Sequence, residues 1–188
     1  MDTDLAKTLE DYLRGGSIKQ LRERAVSILG GGMSDALGET REPANDVTLW
    51  AQAYGVASLY KPCLATLALD KEPCPRKGAE WDYDDLRWRL FGVGWNGLAF
   101  LQRGRRPADI LRRQEILAEL HKQLSQMLEV EHPIGNLFYS DLNGLFFTFP
   151  GIQDEPASEL VKELSPTLVQ AVRRASDDEL WPFFTLSN

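Results

Sequence analysis

Phe138-Tyr139-Ser140-Asp141-Leu142-Asn143-Gly144-Leu145-Phe146-Phe147-Thr148-Phe149-Pro150 is two aromatic, alternating runs separated by Asn-Gly. Alternation marks strands, and Asn-Gly between them is the strongest short hairpin signal, because both residues tolerate the positive φ that a two-residue turn demands. The stretch predicts an antiparallel hairpin over residues 138–150.

Upstream, Trp88-Arg89-Leu90-Phe91-Gly92-Val93-Gly94-Trp95 alternates in the same way and predicts a first strand. Between it and the hairpin, Ile110, Leu111, Ile116, Leu117, Leu120, Leu124, Met127 and Leu128 recur at helical spacing, predicting a helix over 107–129 that ends before His132-Pro133. After the hairpin, a helical region is expected over 156–180, restarting at Ser165-Pro166, where serine can cap and proline suits the first helical position. Phe183-Phe184-Thr185-Leu186 supplies a last strand. The order strand, helix, strand, strand, helix, strand predicts an α+β fold, a ferredoxin-like βαββαβ unit with both helices on one face of an antiparallel sheet.

The N-terminal part is helical by pattern. Leu5, Leu9, Leu13, Ile18, Leu21, Ala25 and Ile28 predict two helices jointed at Gly15-Gly16, the second ending at Gly30-Gly31-Gly32. Residues 34–45 read as a loop, with Asp46 as N-cap of a helix over 47–69 that Pro62 should kink by removing a donor. Pro73, Pro75 and Gly78 make 71–86 the best boundary. The expected organisation is a helical region over 1–70, a linker over 71–86 and a sheet domain over 87–188.

Composition limits the partners. The 188 residues are 43% hydrophobic and 10% aromatic, enough for a core, while 21 Lys+Arg against 28 Asp+Glu leave a net charge of −7. A chain this acidic is repelled by a phosphate backbone, so autonomous nucleic-acid binding is not expected. Cys63 and Cys74 lack a second pair for zinc. No apolar run reaches the roughly 18 residues that span a bilayer. A cytoplasmic protein without a bound metal or cofactor is expected.

Chemistry-bearing motifs are sparse. Gly30-Gly31-Gly32-Met33-Ser34 has no Lys-Ser/Thr continuation and no preceding strand, so it is a joint and not a phosphate loop. No Gly-x-Ser-x-Gly elbow occurs, and His121 has no second ligand at metal spacing. Arg103, Arg105, Arg106, Arg112 and Arg113 cluster around the start of the first long helix, where cations oppose the macrodipole. They are a solvated face or, alternatively, a site for phosphate or an acidic partner. The rings of Phe138, Tyr139, Phe146, Phe147 and Phe149 are expected in the core in preference to base stacking.

One resemblance is more specific than the order of elements. Glu39-Thr40-Arg41-Glu42-Pro43-Ala44-Asn45-Asp46-Val47-Thr48-Leu49-Trp50, continuing through Tyr54 and Ala57-Ser58-Leu59-Tyr60-Lys61, resembles the helix preceding the first palm domain in the large, polymerase/cyclase-like subunit of type III CRISPR effector complexes. Residues 88–101 and 133–150 are similar to the first palm itself, in matching order. The resemblance implies a palm descended from a nucleotide-handling scaffold. The family's catalytic parts are missing: His121 and His132 are not followed by Asp, and the hairpin turn reads Leu142-Asn143-Gly144-Leu145 where an active palm presents adjacent acids. Two-metal phosphoryl transfer needs bridging carboxylates. The first strand has none, and near the turn only Asp141 remains beside Asn143 and Gly144. The resemblance therefore implies a non-enzymatic protein that docks on other CRISPR-associated proteins, or alternatively a half-site that binds ATP or a cyclic oligoadenylate through the arginines.

Overall fold

The structure, a computed structural model, describes residues 2–36, 38, 47–69, 76–77, 80–81 and 87–187. The predicted N-cap at Asp46, most of the 71–86 linker and residues 39–46 of the family-like block lie outside the described residues. The chain divides into two compact units, residues 1–57 and 58–188.

In the first unit, α1 (Asp2–Leu13) and α2 (Ile18–Met33) are joined through Gly15, whose φ of 106° is one a side chain would resist. Ser17 caps α2 by accepting from Lys19 N at 3.2 Å. The expected stop at Gly30-Gly31-Gly32 does not occur: α2 runs through all three glycines to Met33. A glycine costs a helix only about 1 kcal/mol, and the Trp50 ring packs within 3.6 Å of the space beside Gly30 that a side chain would fill. The third helix, α3 (Leu49–Leu69), begins two residues later than expected and continues through Pro62. The unit division falls inside α3, so residues 58–69 belong with the sheet and not with the N-terminal helices.

In the linker, β1 (Arg76–Lys77) and β2 (Glu80–Trp81) form a short antiparallel ladder. The main sheet has β3 (Trp88–Gly94), β4 (Leu137–Asp141), β5 (Gly144–Pro150) and β6 (Phe183–Leu186) in the spatial order β4-β5-β3-β6, every neighbouring pair antiparallel. Between β3 and β4 come α4 (Gly97–Gln102), α5 (Pro107–Gln126) and a π-helical turn (Met127–Glu131). Between β5 and β6 lies α6 (Asp154–Ala175). The fold is α+β, with six α-helices and one four-stranded antiparallel sheet among the described residues.

Strand alternation selects the core. Phe91 and Val93 of β3 and Leu145, Phe147 and Phe149 of β5 are fully buried, joined by Leu117, Leu120 and Leu124 of α5 and Leu164, Leu168 and Val172 of α6. Burial of such side chains contributes about 2 kcal/mol each. The proposed restart of the second helical region at Ser165-Pro166 is incorrect: α6 is continuous from Asp154 to Ala175. An unbroken buried stripe, Ala157, Leu164, Leu168, Ala171 and Val172, offsets the bond lost at Pro166, and Ser165 Oγ donates to Val161 O at 2.6 Å without capping anything. The helix also ends five residues earlier than expected. Asp177 and Asp178, at φ 50° and 66°, turn the chain out of it.

The turn differs from the one Asn-Gly predicts. Asp141 pairs with Gly144, so the two loop residues are Leu142 and Asn143, neither has positive φ, and Gly144 is the first residue of β5. The core assignment of the five hairpin rings holds for Phe147 and Phe149 only. Phe138, Tyr139 and Phe146 are exposed, because Tyr139 and Phe146 face away from the helices and a bulge between Leu137 and Tyr139 turns Phe138 outward.

Candidate functional site

The end of β3 and the hairpin turn are where a palm would hold its metal-binding acids. Here they are stitched directly together. Trp95 N donates to Asn143 O at 2.7 Å, Trp95 Nε1 donates to Leu142 O at 3.0 Å, and Leu98 N donates to Asn143 Oδ1 at 3.2 Å. Asn96 caps α4 by accepting from Ala99 N at 3.0 Å. The approach is so close that a Cβ on Gly97 would lie 1.7 Å from Leu142 O. The amides at the start of α4 that could cradle an anion are thus held by a carboxamide and the turn.

Asp141, the one carboxylate of the turn, accepts from Asn143 N at 2.8 Å through Oδ1 and from Tyr139 OH at 3.4 Å through Oδ2. These are the contacts of an Asx turn, which explains the acid without a metal. No group of three or more His, Cys, Asp or Glu placed to hold a metal occurs among the described residues. His121 stands beside this end of the sheet with its ring 5.6 Å from Trp95. Its Nε2 is buried with no hydrogen-bond partner among the described residues, and burial lowers its pKa against a smaller upward pull from Asp141.

The five arginines do not form one cluster. Arg113 grips Glu179 with both terminal nitrogens at 2.8 Å, Arg103 reaches the same carboxylate at 3.2 Å, and the Arg113 guanidinium lies 4.4 Å from the Phe100 ring centre. The hydrogen bond to Glu179 raises the Arg113 pKa, and the bond from Arg113, supported by Arg103, lowers that of Glu179. Arg112 pairs with Glu115 at 3.1 Å. Arg105 and Arg106 are exposed, and the Arg106 backbone N–H donates to Asp109 Oδ2 at 3.1 Å, an acid in the first turn of α5 that offsets the cations there. Two of the five therefore fasten the chain after α6 to α4 and α5. Glu179 carries no local signal in the sequence that would have identified it.

A second polar cluster escaped sequence reasoning. Lys61 Nζ of α3 donates to Glu129 O at 2.6 Å and Asn136 Oδ1 at 3.0 Å, and Asn136 Nδ2 donates to Ser58 Oγ at 3.4 Å. Glu129 Oε1 accepts from Leu137 N at 2.8 Å, and Thr148 Oγ1 accepts from Asn136 N at 3.0 Å. Glu129, Asn136, Ser58 and Thr148 are all buried. Each of these groups satisfies another, and together they fasten residues 58–69 to the sheet. Trp88 Nε1, donating to Leu59 O at 2.8 Å, and Gly151 N, donating to Thr66 Oγ1 at 2.9 Å, extend the seam.

The sheet face away from α5 and α6 meets α3 at its Trp88 end, where Thr148 and Pro150 are buried, and is exposed toward the hairpin turn. Reading across the strands, one row is Tyr139, Phe146, Gly92 and Thr185, and the next toward the turn is Asp141, Gly144, Gly94 and Phe183. The Phe146 ring lies over Gly92 and the Phe183 ring over Gly94, where any Cβ would collide with them. Leu90 continues the exposed surface along β3, and beyond it the Trp88 indole turns onto α3.

No family model, curated protein or solved structure matches this chain. Geometry alone must carry the functional argument. Among the described residues, no helix is long and apolar enough to cross a membrane.

Proposed function

We propose that this chain is a non-catalytic interaction protein built on a ferredoxin-like palm scaffold, a reduced relative of the first palm of type III CRISPR large subunits that docks on other proteins of the same antiviral system. The element order and the strand order β4-β5-β3-β6 support the ferredoxin-like arrangement. The segments around Trp50 to Lys61, Trp88 to Leu101 and Pro133 to Pro150 support the family. A cytoplasmic location belongs to the same proposal.

One observation carries the docking role: the position of the palm chemistry is filled by Trp95, Asn143 and Leu142 bonded to one another, while Tyr139, Phe146 and Phe183 are left on an open sheet face. Apolar surface exposed together in this way marks an association site. The net charge of −7 disfavours nucleic acid as the direct partner. Co-expression of the chain with the other proteins encoded at its locus, followed by affinity purification, tests the role. Stoichiometric co-elution is expected, and elution of the chain free of all of them would refute it.

The nucleotide half-site has narrower support. Arg105 and Arg106 are exposed at the start of α5, but Arg103 and Arg113 are already engaged by Glu179. Calorimetry with ATP and with cyclic oligoadenylates decides it, and heat that disappears in an Arg105→Ala/Arg106→Ala variant would favour it over docking.

A further inference from the structure

We propose that the α1–α2 hairpin is a self-association element: two copies bring the exposed apolar sides of their hairpins together about a two-fold axis parallel to the helices, so that α1 of each lies against α2 of the other in a four-helix bundle. The inference is independent of the docking role proposed above, which rests on the sheet.

Helices as short as these are marginal in water and draw their stability from burying one face. In the hairpin that burial is missing. None of the 16 residues of α2 is buried, and within residues 3–13 of α1 Thr8 alone is. Both helices nevertheless carry an apolar stripe at helical spacing, Leu5, Leu9 and Leu13 in α1 and Ile18, Leu21 and Leu29 in α2. Leu9, Leu13 and Ile18 are 49%, 73% and 59% exposed, and the other three are half-buried. The hairpin makes its own contact along a different side, where Arg24 Nη1 lies 3.2 Å from Asp11 Oδ2. At 3.6 residues per turn each stripe stands more than a quarter turn round from that contact in the same rotational sense, so in two antiparallel helices both stripes open on one side. The result is an apolar face about 20 Å long and about 20 Å wide.

Charge identifies a second copy as its cover. Over residues 3–13, Asp4, Glu10 and Asp11 stand against Lys7 for a net −2, whereas in α2 Lys19, Arg22 and Arg24 stand against Glu23 for a net +2. A hairpin with one acidic and one basic helix complements itself when unlike helices meet. A two-fold axis perpendicular to the helices would set α1 on α1 and α2 on α2, like upon like. An axis parallel to them sets α1 on α2 at both contacts and leaves like helices diagonal. The same axis makes every neighbouring pair antiparallel, as in up-down-up-down bundles. Arg22, half-buried beside the α2 stripe, then faces the acidic helix of the other copy.

Sedimentation equilibrium of the full chain tests the proposal. Twice the chain mass of 21.2 kDa is expected at micromolar concentration. Leu9→Glu and Ile18→Glu, made separately at side chains that a single copy leaves exposed, should each weaken dimerisation by at least about 30-fold, the cost of losing an interface anchor. Ile18→Lys loses the same apolar side chain but meets the acidic α1 of the other copy, and should dimerise about threefold more tightly than Ile18→Glu. Within one copy the preference runs the other way, because the first turn of α2 and Arg22 four residues on both favour Glu, so an advantage of Lys reports the second copy and not folding. Leu111→Glu, on the exposed side of α5, should leave the dimer intact, with circular dichroism showing every variant folded. A wild-type chain that stays monomeric at high micromolar concentration overturns the proposal, as does a dimer that survives both Glu substitutions. An Ile18→Lys chain that dimerises more weakly than Ile18→Glu overturns the pairing of α1 with α2. A monomer that captures a locus-encoded protein, and loses it on Leu9→Glu, gives the face to that protein and overturns self-association.

Discussion

Replacing Gly97 by alanine should cost about 3 kcal/mol, because the hairpin turn rests directly on the backbone at that position. A Cβ there would stand 1.7 Å from Leu142 O, 2.7 Å from Leu142 C and 3.2 Å from Trp95 Nε1. The first two contacts are backbone, which cannot rotate aside, so the turn must move by more than 1 Å to reach ordinary contact. That displacement breaks or stretches the three bonds linking the turn to β3 and α4: Trp95 N to Asn143 O, Trp95 Nε1 to Leu142 O and Leu98 N to Asn143 Oδ1. Each contributes about 1 kcal/mol, and each leaves a partner less well satisfied when lost. Chemical denaturation followed by tryptophan fluorescence measures the total, and amide hydrogen exchange at Trp95 and Leu98 reports the local opening. Gly31→Ala is the matched control, since nothing lies within 4 Å of a Cβ at that helical glycine, and it should stabilise α2 by up to about 1 kcal/mol. A Gly97→Ala protein that loses less than about 1 kcal/mol, with Trp95 and Leu98 exchange unchanged, would refute the close docking of the turn.

Three further outcomes follow from the polar contacts. Asn136→Ala removes the acceptor for Lys61 Nζ and the donor to Ser58 Oγ and should cost about 2–3 kcal/mol in urea denaturation, since one of the lost bonds is to an ammonium; a loss under about 0.5 kcal/mol would show that α3 is held by other contacts. Glu179→Gln should cost about 1 kcal/mol, reduced by its partial exposure. Arg113 and then Arg103 hold the Glu179 carboxylate below its ordinary pKa, so their stabilisation is complete above the unfolded-state value and is lost as pH falls through the lower folded-state value; the wild type should therefore lose its advantage over Glu179→Gln in acid, and an advantage that persists there would contradict the clasp. For His121 the sign is set by burial, which lowers its folded pKa below the ordinary value near 6.5. Protonation then favours the unfolded chain as pH falls from about 6.5 toward that lower value, and His121→Phe should flatten this part of the stability profile; an unchanged slope would assign it to other groups.

Much of the sheet domain was legible because period-two alternation reports the inner face directly. Phe91 and Val93 on β3, continued by Trp95 just past its end, and Leu145, Phe147 and Phe149 on β5 are spaced as buried residues must be. The same alternation places Phe146 outside, so the expectation that all the hairpin rings enter the core gave aromatic composition more weight than pattern. The turn was misread for a different reason. Asn-Gly favours positive φ in isolation, but the bonds from Trp95 N and Leu98 N to Asn143 hold it in a conformation without positive φ, and Gly144 becomes strand. Pro166 likewise breaks a helix locally, and here the buried stripe of α6 prevails. Neither the Arg103–Glu179–Arg113 clasp nor the Lys61–Asn136–Glu129 cluster has a local signature. Each joins residues far apart in the chain, and a spacing rule sees only one side of such a contact.

The arginines and the hairpin bear together on whether the chain could hold a nucleotide. Such a site needs cations aimed at phosphates and carboxylates that share metal ions between them. In this chain the best-held arginine, Arg113, is turned onto Glu179, and the one carboxylate at the turn, Asp141, is spent on Asn143 N and Tyr139 OH. Both groups are engaged in contacts that hold the fold. The Asp141 contact to Tyr139 also braces a ring on the exposed part of the sheet face, and Trp95, bonded to the turn on one side, packs against half-buried His121 on the other. The residues at the turn therefore support the surface proposed for docking. A variant that displaces the turn, such as Gly97→Ala, should weaken association as well as stability, and a variant that loses stability while binding its partner with unchanged affinity would separate the two.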